Sequence, residues 1–125
     1  MNAKSEPRAD RGLKRGQRLT AARDFEATFR GGQCWHGRYM VLWLREGPGA
    51  AGRLGVVAGR KVGGAVERNR AKRRLREVYR LNRQRLRPGY DVVLVARRAI
   101  GSAPWGELVA ELMALAKRAR LLKEL

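Results

Sequence analysis

The sequence predicts a single α+β domain, and three observations carry that reading. The chain has 125 residues, of which 44% are apolar, enough for one modest core. Two stretches read as strands. "CWHGRYMVLWL" alternates and is rich in aromatic and β-branched residues, and "YDVVLVA" is a continuous apolar run. Around them lie segments whose apolar residues recur at helical spacing.

Taken in order, residues 1–18 lack apolar periodicity and are expected to form a disordered basic arm, leaving 19–125 as the domain. Thr20 is the expected N-cap of a short helix, "AARDFEATFR", stopped by Gly31 and Gly32. "CWHGRYMVLWL" follows as one strand, and "REGPGAAG" is a turn by its glycines and Pro48. "RLGVVAG" reads as the strand returning through that turn. A basic helix is expected from about Gly64 to Leu86, ended by Pro88-Gly89. "YDVVLVA" is then a strand covered on both faces. Ser102 and Pro104 open a last helix with Trp105, Leu108, Val109, Leu112, Ala116 and Ala119 on one stripe.

The charge is far from balanced: 29 Lys and Arg stand against 11 Asp and Glu, a formal net charge of +18. Such an excess speaks about partners rather than fold, and nucleic acid is the commonest polyanion. An acidic membrane surface, or charge serving solubility alone, is the blander alternative. Within Arg68–Arg76, six of nine residues are basic. On a helix, Gly64, Ala71, Leu75, Val78, Tyr79 and Leu86 fall on the buried side. Asn69, Arg73, Arg76, Arg80, Arg83 and Arg87 fall opposite, a row of about 27 Å with about 5–6 Å between neighbours. A solvated face mixes signs, but this one has only Glu67 and Glu77 toward its edges. Arg-rich faces suit bidentate phosphate contact. Strands flank the helix where a helix-turn-helix would need a companion helix, and base-reading Asn and Gln are absent from its centre. Both features favour structured RNA recognised by shape.

Five of the eight aromatic residues lie between Phe25 and Trp43. Phe25 and Phe29 share a helix face. On one unbroken strand Trp35, Tyr39 and Trp43 would share a face, with Met40, Leu42 and Leu44 turned to the core. Periodicity leaves two readings open: the rings hold the first helix on the sheet, or they stack unpaired bases at about 1–3 kcal/mol each. Catalytic chemistry finds little to work with. His36 is the one histidine and Cys34 the one cysteine, so neither an internal disulfide nor a Cys/His zinc site is available. The lone cysteine and the lack of a long apolar run make the cytoplasm the expected location, with no membrane association.

"GRKVGGAVERNRAKRRLREVYR" closely resembles the signature of the bacterial ribonuclease P protein component, centred on R-N-R followed by K-R-x-x-R. "RLTAARDFEATFRGG", "RYMVLWL" and "YDVVLVARR" extend the likeness over about residues 13–122. The resemblance implies a three-layer α+β sandwich with a four-stranded mixed sheet. It also implies a left-handed crossover through Leu54–Ala58, the basic helix and Asp91–Ala96. It implies the accessory protein of a ribonucleoprotein endonuclease that removes 5′ leaders from precursor tRNA. The partners are then the catalytic RNA and precursor tRNA, with no obligate protein partner. The motif positions assign RNA-subunit contacts to Lys61, Arg68, Asn69, Arg70, Lys72, Arg73 and Arg76, and the outer row adds Arg80. The leader cleft maps onto Phe25, Phe29 and Trp43, and the shared strand face adds Tyr39. No catalytic or metal-binding residue is expected on the chain and no cofactor of its own, Mg²⁺ acting at the RNA active site. Two departures stand out: Trp43 replaces a smaller aromatic, and Gly64 would loosen the start of the helix by about 1 kcal/mol. The alternative is a general structured-RNA-binding or ribosome-associated protein without a catalytic RNA.

Overall fold

The computed structural model describes residues 17–123 apart from positions 48 and 51. Residues 1–16 of the expected arm and Pro48 of the expected turn therefore lie outside the described residues.

The first helix, α1 (Ala22–Gly31), ends at the expected glycines. Its N-cap is Ala21 rather than Thr20, and no side chain caps it. Asp24 in the first turn supplies the negative charge a helix start favours.

The expected single strand is two. Strands β1 (Gln33–His36) and β2 (Met40–Arg45) form a hairpin through Gly37, Arg38 and Tyr39. The turn is held from outside by Glu111. Its carboxylate accepts the backbone N–H groups of Arg38, Tyr39 and Met40 at 2.7, 2.8 and 2.9 Å. A Cβ at Gly37 would sit 2.4–2.8 Å from that carboxyl group, so a larger residue there would push Glu111 off the turn.

The sheet is completed by β3 (Leu54–Val57), parallel to the central β4 (Asp91–Ala96), in the order β1-β2-β4-β3. Arg18 pairs with Leu54, and the Leu19 N–H donates to the Leu54 carbonyl at 2.8 Å, covering the open edge of β3. Arg18, the last residue of the expected arm, thus joins the sheet edge.

The basic helix, α2 (Ala65–Asn82), joins β3 to β4. It is shorter than expected: Arg83–Arg85 form a 3-10 turn. Asn82 has left helical geometry at φ −116°, and its side chain donates to the Val78 carbonyl at 2.7 Å. Such back-bonding favours a helix end. Gly64 is the extended N-cap of α2 and not an interior residue, so the expected loosening does not apply. The final helix, α3 (Trp105–Arg118), follows Pro104. Leu108, Leu112, Ala116 and Ala119 of the expected stripe are buried, while Trp105 is 39% exposed.

Three layers result: α1, the sheet, and the pair α2 and α3. Met40, Leu42, Leu44, Val92 and Leu94 meet Leu75, Val78, Leu108 and Leu112 on the inner face, which is the main core. Truncating Leu75, fully buried there, belongs to the class of core changes that cost about 2–5 kcal/mol. No helix among the described residues is long and apolar enough to cross a membrane.

Candidate nucleic-acid interface

Burial of Ala71, Leu75, Val78 and Tyr79 fixes the rotation of α2 and turns the motif outward. Asn69, Arg70 and Arg73 are exposed, and Arg68, Lys72, Arg76 and Arg80 are half-exposed around them. Lys61 is exposed in the 3-10 turn Arg60–Val62 that leads into the helix. All eight expected contact residues are therefore open to solvent, seven on α2 and Lys61 in the turn before it. The row is shorter than its sequence suggests, because Arg83 and Arg87 lie beyond the end of α2. From Asn69 to Arg80 it spans about 16 Å. At its far end Arg80 donates to Glu77 at 2.8 Å, so part of its charge is spoken for.

One charge in the row, Arg76, is partly desolvated. Burial, and then the nearby charge of Arg18, lower its guanidinium below the ordinary value. The two arginines line one small cleft with Leu19, Thr20, Leu54 and Val56. Like charges converging on a partly desolvated cleft are relieved by an anion. By sequence, Arg18 reads only as part of the arm. Its neighbour Leu19, a buried apolar residue just before the first helix, is the signal that anchors it. Arg74, in the middle of the basic run, has the opposite role. It donates to the Ile100 and Ala103 carbonyls at 2.7 and 2.6 Å, tying α2 to the start of α3.

The aromatic residues divide. Cross-strand partners share a sheet face, so Cys34 and Trp43 lie on the outer face beneath α1. Trp35, opposite Leu42, lies on the inner face. Phe29 meets Trp43 edge-to-face at 5.1 Å between centroids and lies 6.4 Å from Phe25. Phe29 is 36% exposed, while Phe25 is half-buried over Gly55, where a Cβ would come within 2.6 Å of the ring. Phe25, Phe29 and Trp43 thus form one cluster. Tyr39 does not join it. The hairpin turn buries its ring against α3, and its hydroxyl donates to Glu107, a bond that holds the phenol above its ordinary value. The expectation that Trp35, Tyr39 and Trp43 share a face fails because the chain reverses between them.

Asp24 and Asp91 have structural partners. Asp91, fully buried, accepts from the Arg53 backbone and guanidinium at 2.8–3.3 Å, and Arg53 also reaches Asp24 at 3.1 Å. Arg45 completes the network at 3.8 and 3.9 Å. The bond to Asp91 raises the Arg53 guanidinium above its ordinary value, with burial opposing. Among the described residues no three His, Cys, Asp or Glu side chains cluster as a metal site.

An outward arginine helix on one side of the sheet and a ring cluster on the other offer separate surfaces for phosphates and for unpaired bases. The family model for Ribonuclease P matches residues 13–120. The chain belongs to the ribonuclease P protein family. It is similar to the ribonuclease P protein component of Natranaerobius thermophilus, 40% identical over 100 residues that span 80% of this chain and 87% of that protein. The component from Symbiobacterium thermophilum is 41% identical over 112 residues, 89% of this chain and 97% of that one. In structure the chain is similar to the RNase P protein from Thermotoga maritima, with a TM-score of 0.71 and 32% identity. That likeness covers 81% of this chain and 96% of that one. The family match spans both parts of the candidate interface, from Arg18 and the α1 rings to the end of α2.

Proposed function

We propose that this chain, as a ribonuclease P protein component, binds the catalytic RNA through α2 and the 5′ leader of precursor tRNA through the α1 rings. The observation that carries the first half is the face from Lys61 to Arg76, where Arg68, Arg70, Lys72, Arg73 and Arg76 stand together without an ion pair among the described residues. Phosphates of a folded RNA relieve that repulsion, and their contacts position the protein without reading sequence. Phe29 and Trp43 offer ring surface beside the sheet for leader bases. Hydrolysis falls to Mg²⁺ held by the RNA, while the protein positions substrate and neutralises charge and takes up no cofactor of its own.

Reconstitution with the ribonuclease P RNA at low Mg²⁺ tests the whole reading. Added protein should stimulate precursor tRNA cleavage. In the same assay Arg73→Ala/Arg76→Ala should weaken assembly and leave the fold intact. The slope of log affinity against log salt should shrink by about one unit for each phosphate that is no longer neutralised. An unchanged slope at normal affinity would move the RNA elsewhere, and binding without stimulation would return the chain to general RNA binding.

A further inference from the structure

The end of the molecule opposite Lys61 carries charge and rings that the proposed function does not use. The segments that follow α2 and α3 meet there: Leu86 pairs with Leu122, and the Arg87 N–H donates to the Leu121 carbonyl at 2.7 Å. Beside this junction a hollow of about 420 Å³ is lined by Trp35, Tyr90, Arg118 and Arg120, with Glu46 its one carboxylate among the described residues. A second hollow, about 630 Å³, shares Arg87 and Arg120 and continues to Lys117 and Lys123, with no carboxylate among the described residues that line it. None of Lys117, Arg118, Arg120 and Lys123 forms an ion pair among the described residues. Trp35 and Tyr90 are half-buried, and Trp35 is the ring that the hairpin moved to the inner face.

An independent observation marks the same place. Arg120, at φ 57°, is the one non-glycine with positive φ among the described residues. It closes α3: its N–H donates to the Lys117 carbonyl at 3.1 Å, and the Leu121 N–H to Ala116 at 2.8 Å. Glycine is usual at this position, and a side chain there strains the backbone. Strain of this kind gathers at ligand sites. Here it holds a long cation on the rim that the two hollows share.

We propose that this surface is a second binding site, for single-stranded nucleic acid, with bases stacking on Trp35 and Tyr90 and phosphates held by Lys117, Arg118, Arg120 and Lys123. Rings interleaved with cations are the pattern that takes an unpaired strand. Rings recessed in a hollow are out of reach of bases stacked inside a duplex.

The test is a titration of the full chain with octauridylate, followed by the Trp35 indole N–H and the 118–121 amide resonances. These should shift together in one saturable step, and the step should persist in Arg73→Ala/Arg76→Ala, which separates this site from the α2 face. An eight-base-pair duplex should engage it at least tenfold more weakly. Arg120→Gly should raise the melting temperature by about 4 °C, by relieving the left-handed residue. It should also weaken octauridylate binding about tenfold, the effect of removing one charge-assisted hydrogen bond. Arg120→Asn, also at home in that region, should weaken binding equally, so a defect peculiar to glycine cannot imitate the result. Unmoved Trp35 and 118–121 resonances, or undiminished affinity in both variants, would overturn the proposal. So would an octaglutamate peptide that binds as tightly as octauridylate, which would assign the surface to an acidic protein.

Discussion

Tyr79 shows how one side chain ties the basic helix to the core. It lies on the buried side of α2, and desolvation pushes its phenol up to about 12 from an ordinary 10.0. The unfolded chain ionises this group near pH 10, while the folded chain keeps it neutral until about pH 12. The group's contribution to stability is therefore complete below pH 10 and is lost between pH 10 and 12 at about 1.4 kcal/mol per unit. Tyr79→Phe should flatten that window and leave stability at pH 7 nearly unchanged, as chemical denaturation along a pH series will read. Arg73 and Arg74 make a related point about reach. Adjacent in one basic run, they differ by about 100° around the helix axis. That angle sends one to solvent and the other to the Ile100 and Ala103 carbonyls. The run is legible in the sequence as a charge cluster, but Arg74's acceptors lie 26 and 29 residues away, where periodicity has no view.

At the scale of elements, sequence patterns succeed where they are local and fail where a distant residue decides. The end of α1 at Gly31, the apolar run of β4 and the buried stripe of α3 all follow from nearest neighbours in the chain. The β1–β2 reversal does not. "HGRY" carries a single turn residue inside an otherwise alternating stretch, and the group that makes the turn is Glu111, 73 positions beyond Arg38. Three backbone donors depend on that carboxylate, so Glu111→Gln, which keeps one acceptor oxygen, leaves part of the turn unsatisfied. The expected loss is about 2 kcal/mol in a urea titration. Hydrogen exchange at Arg38, Tyr39 and Met40 should accelerate more than exchange at the β4 amides. Equal acceleration throughout would mean that Glu111 supports the fold in general and not this hairpin. The same reversal is why Tyr39 stands apart from the candidate site and Trp35 lies on the other face.

At the scale of the molecule, the sheet separates two kinds of surface. The inner side carries the α2 arginines and the main core, while the outer side carries α1, its two phenylalanines and Trp43. The Asp24, Arg53 and Asp91 network joins them, because it fastens the first turn of α1 to the starts of β3 and β4. Two surfaces on one rigid frame predict that their functions come apart under mutation. Phe29→Leu or Trp43→Leu keeps apolar bulk but removes a planar face. Assembly with the catalytic RNA, which the proposed function gives to α2, should stay near normal. Affinity for precursor tRNA should fall by about 1–3 kcal/mol, the worth of one base stack, while affinity for mature tRNA, which has no leader, should not change. Each variant also removes the edge-to-face pair at 5.1 Å, which lowers stability by a further 0.5–1.5 kcal/mol or about that. That destabilisation acts on both substrates alike, so the difference between precursor and mature tRNA isolates stacking from packing. Equal losses for the two would confine the rings to holding α1 on the sheet and leave the arginine face as the tRNA-independent half of the interface.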